Sequence, residues 1–227
     1  RLSGAGLDLG RDTCFPPLVP WSEGAADGVL VDVPERILFD RVEFFAAVLG
    51  LTPVPKHIEV NGESLAAIAF LGDTDSVAGP AWDEAGWSAR WGAIALGTAT
   101  EIMAYFGRKD AREVQAHLQM VLARAAARAA AANTPPATVR AATPLSEVDE
   151  AAQELSHAGF FLTRTHSLRH PVFDGHVSPL LRREVFVATD AAIVLPYDPV
   201  RDRLLLVEQF RMGPYGRGDP RPFVLEP

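Results

Sequence analysis

The 227 residues carry a formal net charge of −8, with 48% hydrophobic residues, 22% charged residues and a single cysteine. That balance suits one large or two small globular domains with a sizeable core. It argues against general nucleic-acid binding and against anionic membrane surfaces, which both require a basic face, and one thiol permits no internal disulfide. No apolar run reaches the ~18 residues of a membrane span and no signal-peptide pattern is present, so the sequence predicts a cytoplasmic protein.

In chain order, the first predicted strand is "DGVLVDV" (27 to 33), with Pro34 in the first turn of a helix running through "ERILFDRVEFFAAVLG". Strands "KHIEV" (56 to 60) and "LAAIAFLG" (65 to 72) flank Asn61-Gly62, a two-residue hairpin signal. A helical stretch over 81 to 107 follows, with breaks expected at Gly92 and Gly97, and with Trp82, Trp87 and Trp91 as packing residues. Residues 110 to 132 are Ala-rich and read as a solvent-facing spacer helix, capped by Asp110 with Glu113 completing a capping box. The segment "NTPPATVRAATP" (133 to 144) has three prolines and reads as an extended linker. Cys14 reads as a plain thiol and not as a nucleophile.

Beyond the linker the pattern turns to strands. "SHAGFFLTRTHSLRHPVFDG" (156 to 175) brings an aromatic pair and an alternating stretch, and "RREVFVATDAAIVLPYDP" (182 to 199) brings strand material with a break near Thr189-Asp190. "RLLLVEQF" (203 to 210) follows a tight turn over Asp198 to Asp202, and links this short predict an antiparallel meander. Leu205 and Val207 fall on one face of that last strand, and Leu204, Leu206 and Glu208 on the other; the apolar character of both calls for cover on both sides. Arg182 and Arg183 point to opposite faces of their strand, so at most one of them faces a ligand. Histidines 157, 166, 170 and 176 lack metal-ligand spacing in strand-like sequence and read as polar or packing residues.

The order of "CFPPLVP" (14 to 20), "GVLVDV", "DRVEFF" (40 to 45) and "WSARWGAIALG" (87 to 97) resembles a gamma-glutamylcyclotransferase-like domain over about residues 1 to 130. In that family a Glu after the first helix is the general base. The resemblance places Ala46 at that position, and an alanine cannot take a proton. Glu43, about 60° away around the helix, is no substitute. The resemblance thus implies a degenerate domain in a docking or dimerising role.

The second resemblance is closer. "FF" (160 to 161), "LRH" (168 to 170), "FDG" (173 to 175), "RREVF" (182 to 186), "AAIVLPYDPVRDRLLLVEQFR" (191 to 211) and "FVLEP" (223 to 227) resemble the ADP-ribose pyrophosphatases of the Nudix hydrolases in order and spacing. What this implies is a strand-exchanged homodimer that cleaves ADP-ribose, or a related nucleoside diphosphate, to AMP and ribose 5-phosphate with Mg²⁺. Phe160 would stack on the adenine from the partner subunit, Arg183 would approach the ligand from the partner, Arg211 would pair with the diphosphate, and Glu226 would lie near the metals. In the family, the Mg²⁺-binding carboxylates follow shortly after "LEP", so no catalytic residue of that kind is expected among these 227. The chain also begins at Arg1 and not at Met, and the sequence therefore reads as a piece of a longer protein.

The fold class expected is α+β. A cyclotransferase-like mixed domain (1 to 130) and a linker (131 to 145) would precede the N-terminal part of a Nudix domain (146 to 227), an incomplete α/β/α sandwich. Two other functions fit the same residues: a non-catalytic ADP-ribose-binding or scaffold protein, and a working gamma-glutamylcyclotransferase.

Overall fold

The computed structural model describes residues 1 to 8, 13 to 73, 82 to 132, 143 to 189 and 191 to 227. The fold is mixed α and β, with open sheets and five α-helices among the described residues. Two compact units divide the chain, Arg1–Thr189 and Asp190–Pro227.

The first unit opens with β1 (Leu2–Leu7) and β2 (Leu18–Ala26), paired antiparallel with a register shift between Ser3 and Ala5. The predicted strand at 27 to 33 does not form: these residues lie outside any strand, and Val29 is 90% exposed. Strand formation needs a partner, and β1 pairs instead with the less apolar residues just upstream. Helix α1 (Arg36–Val48) follows, with Glu35 at the N-cap position and no side-chain cap bond. Pro34 therefore precedes the cap and is not in the first turn, though its missing N–H costs nothing at either place.

The hairpin signal at Asn61-Gly62 is realised by β3 (Thr52–Val60) and β4 (Glu63–Leu71), in register from Thr52↔Leu71 to Val60↔Glu63. Asn61 and Gly62 both take positive φ, 52° and 84°, as a tight primed turn requires. Pro53 and Pro55 fit within β3 because a two-stranded sheet leaves an edge with no donors to satisfy.

Helix α2 (Glu84–Ala104) runs unbroken through Gly92 and Gly97, against the expectation of breaks at both. Tertiary packing overrides the weak helix propensity of glycine. At Gly97 the reason is close approach, since a Cβ there would lie 3.3 Å from the Ala125 Cβ. The stretch 110 to 132 is two helices, α3 (Ala111–Gln115) and α4 (Leu118–Ala131). Asp110 caps α3 as expected, accepting from the Arg112 N–H at 2.8 Å, while Glu113 accepts from the Asp110 N–H at 3.1 Å.

The solvent-facing spacer is also corrected. Val121, Arg124 and Ala125 of α4 are buried at helical spacing, and α4 packs on α2. Alanine here permits close helix contact instead of merely filling a solvated rod. The core gathers Val48, Ile102, Tyr105, Val114 and Val121, with Leu155 and Ala158 packed against it from beyond the expected linker. Most of that linker, 133 to 142, lies outside the described residues, and its first residue, Ala131, is still helical.

A meander closes the first unit: β5 (Asp149–Ala158), β6 (Leu162–Arg169) and β7 (Leu181–Val187), in the order β5-β6-β7. Phe160 and Phe161 sit in the turn between β5 and β6, where the Gly159 N–H donates to the Phe161 carbonyl at 2.9 Å.

The second unit holds two separate hairpins. Strands β8 (Tyr197–Asp198) and β9 (Arg203–Leu204) flank the predicted turn, in which the Asp198 carboxylate accepts from the Val200 and Arg201 N–H groups at 2.9 and 3.2 Å. Residues 203 to 210 are not one strand: Leu205 and Leu206 interrupt β9 before β10 (Val207–Phe210), and the meander expected here does not extend across both hairpins. After a short helix α5 (Met212–Gly216), β11 (Phe223–Glu226) pairs antiparallel with β10. Leu204, Leu205, Leu206 and Val207 are all exposed, and the two apolar faces expected of a single strand here are not formed.

Candidate functional site

In the second unit, register brings two of the predicted residues together. Val207 lies opposite Glu226, and Gln209 and Arg211 follow at alternate positions from Val207, on its side of the pleat. The Arg211 Nε donates to Glu226 Oε1 at 2.7 Å, and Nη2 donates to Oε2, which makes a forked pair. Gln209 Nε2 adds a third bond to Oε2 at 2.8 Å. Hydrogen bonding from Arg211 holds the Glu226 carboxyl below the usual carboxylate range, and the same contact raises Arg211 above its ordinary value. This cation, expected on a diphosphate, is held in a fixed orientation by the two-point contact with Glu226.

The other two predicted residues lie in the first unit. Phe160 is 55% exposed and meets Phe161 edge-on at 4.9 Å and His117 at 6.3 Å, while Phe161 meets Phe186 at 4.9 Å. An exposed ring braced from behind is a suitable platform for a flat base. Arg183, on β7, is exposed and donates through Nη1 to the Arg182 carbonyl at 3.0 Å; Arg182 itself pairs with Glu184 at 3.5 Å. The chain does not bring Phe160 and Arg183 together. Arg183 sits opposite His166, four residues along β6 from Leu162, a separation of roughly 13 Å.

The described residues do not fit a Mg²⁺ site by themselves. A hard cation needs several oxygen ligands, yet both oxygens of Glu226 are engaged by Arg211 and Gln209, and no group of three or more metal-ligating side chains occurs among the described residues. His166 instead pairs with Glu150 at 2.5 Å, the polar role expected of it.

Sequence reasoning missed a buried ionic cluster in the first unit. Arg124 donates to Glu101 through Nη2 at 2.6 Å and through Nε at 3.0 and 3.3 Å, with side-chain exposures of only 4% and 8%. The Tyr105 hydroxyl donates to the same carboxylate at 3.2 Å, and Arg164 of β6 approaches it at 3.6 Å. Burial, followed by the charge of Glu101, pushes the Tyr105 phenol up to about 12. Arg164 is lowered from its ordinary value, first by burial and then by the neighbouring Arg128. The signal was present in helical phase: Arg124 shares a face with Val121 and Ala125, as Glu101 does with Thr98, Ile102 and Tyr105.

Cys14 is buried, its thiol pushed up to about 11 by that burial, which fits the plain-thiol reading. Its carbonyl accepts the Trp87 indole N–H at 3.0 Å, and Trp87 packs against Trp82 at 5.8 Å, as expected for packing tryptophans. Ala46, the position without a base, is buried on α1.

The Arg211–Glu226 pair belongs to the second unit and the Phe160–Phe161 pair to the first. The chain is 40% identical over 81 residues to the ADP-ribose pyrophosphatases of Escherichia coli (strain K12) and Shigella flexneri, covering 36% of this chain and 38% of each relative. It is 31% identical over 67 residues to the ADP-ribose pyrophosphatase of Haemophilus influenzae, covering 30% and 31%. No protein-family model matches. The chain thus spans less than two fifths of the length of these curated relatives. The partial matches support a Nudix-like region of hydrolase type over about a third of the chain. No helix of the described residues is long and apolar enough to cross a membrane.

Proposed function

We propose that this chain is the substrate-facing part of a Nudix hydrolase that cleaves ADP-ribose, or a closely related nucleoside diphosphate, to AMP and ribose 5-phosphate. The observation that carries the reading is the 40% identity over 81 residues to ADP-ribose pyrophosphatases. The forked Arg211–Glu226 pair supports it, because a preoriented guanidinium matches a diphosphate oxygen pair. In this reading Arg211 takes the diphosphate, Phe160 stacks on adenine, and Arg183 reaches the ligand of the neighbouring subunit in a strand-exchanged homodimer. Mg²⁺ dependence is part of the proposal. Glu226 would stand near the ions, and the remaining carboxylates would come from outside these 227 residues.

Residues 1 to 130, proposed as a degenerate cyclotransferase-like domain, serve here as a structural platform. What supports this is the packing of Leu155 and Ala158 on their core and the Arg124 Nη1 bond, 3.5 Å, to the Phe160 carbonyl, which anchors the aromatic turn. Kinetics on the protein expressed from its complete gene test the assignment. Phe160→Ala raises KM for ADP-ribose about tenfold by removing the stacking surface. Arg211→Gln lowers kcat/KM at least about tenfold by removing a charged fork. Wild-type kinetics in both variants would remove these residues from the site.

A further inference from the structure

We propose that the cavity between α2, α4 and the β5–β6 hairpin binds a small phosphate-bearing anion, held by Arg108, Arg128 and Arg164. The cavity encloses about 530 Å³, the size of a small-ligand pocket, and all three arginines line it. Among the described residues its carboxylates are Glu101 and Glu154. With Arg124, which bonds Glu101 from outside the lining, the described residues supply four guanidiniums for two carboxylates, an excess of two positive charges.

Glu101 does not absorb that excess. Its oxygens are taken up by three bonds from Arg124 and one from the Tyr105 hydroxyl, so Arg164 stands off at 3.6 Å without a hydrogen bond to it. The side chains of Arg108 and Arg128 have no carboxylate partner among the described residues. Arg164 is only 15% exposed, so water compensates its charge poorly. A dianion would supply the missing charge, and planar guanidiniums pair with phosphate oxygens in forked geometry. Leu155 and Leu162 form an apolar wall beside the arginines, so the volume beyond a phosphate suits the organic part of a monoester.

This site is independent of the proposed hydrolase site, since none of its arginines is among Phe160, Arg183, Arg211 and Glu226. The test is calorimetric titration of the 227-residue chain with inorganic phosphate and with glycerol 3-phosphate, against chloride at matched ionic strength. Saturable binding of at least one of the two probes, with a dissociation constant of about 1 mM or tighter, is expected. Arg108→Gln and Arg128→Gln each weaken it about tenfold or more. Both side chains are exposed, so neither variant endangers the fold. Arg36→Gln, on α1 outside the cavity, leaves binding unchanged. Absence of saturable binding by both probes, undiminished binding in the two cavity variants, or equal loss in Arg36→Gln would overturn the proposal.

Discussion

Arg124→Leu is the sharpest perturbation of the first unit. It strips three hydrogen bonds from Glu101, whose side chain is 8% exposed, and leaves the carboxylate with the Tyr105 hydroxyl and with Arg164 at 3.6 Å. Breaking a buried pair from one side typically costs ~3–5 kcal/mol, because the remaining charge stays buried without its partner. Arg164 is near enough to swing in and recover part of that, which places the expected loss near the lower bound, about 3 kcal/mol. With a urea slope of about 2 kcal/mol per M, the unfolding midpoint falls by about 1.5 M. The double variant Glu101→Leu/Arg124→Leu removes both charges and should lose less than the single substitution, within about 1.5 kcal/mol of wild type. A single-variant loss under about 1 kcal/mol, or a double variant as costly as the two singles combined, would refute the assignment of Glu101–Arg124 as a buried, mutually dependent pair.

Gly97→Val forces branched carbon against Ala125, where even a Cβ stands at 3.3 Å, and should cost about 1–3 kcal/mol; Gly92→Ala, whose nearest neighbour is at an ordinary 3.5 Å, should be neutral or stabilising by thermal midpoint. Cys14, with its thiol raised to about 11, should react slowly with a disulfide reagent at pH 8 in the native state and fast in denaturant, and the native rate should still climb above pH 9. Glu226, depressed by Arg211, should titrate in carboxyl NMR below the ordinary glutamate midpoint of about 4.3 and return toward it in Arg211→Gln. The sign is that of a lowered carboxyl: the pair's contribution is present above the unfolded value and is lost as pH falls through the folded one.

Local chemistry was the legible part of the fold. Asn61-Gly62 announces its hairpin because few other residue pairs tolerate two positive φ angles in succession. The Asp110 capping box and the Asp198 turn declare themselves because a short carboxylate side chain bonds the backbone directly. Features set by distant partners were hidden. The pairing of β1 with β2 rests on a neighbour and not on apolar alternation, so the more hydrophobic 27 to 33 drew the prediction. Gly92 and Gly97 read as breaks because the contact with Ala125, 28 residues away from Gly97, is invisible to propensity. At the candidate site, the resemblance singled out Arg211 and Glu226 separately, and their mutual fork emerged only from the β10–β11 register. The Glu101–Arg124 cluster was hidden by composition: an arginine in an alanine-rich helix looks solvated until its phase is matched to Val121 and Ala125.

The most direct measurement is product analysis. ADP-ribose incubated with Mg²⁺ and the protein expressed from its complete gene should yield AMP and ribose 5-phosphate in equal amounts, with the yield lost when the metal is chelated. Intact ADP-ribose after prolonged incubation, with or without measurable binding, would contradict the hydrolase assignment.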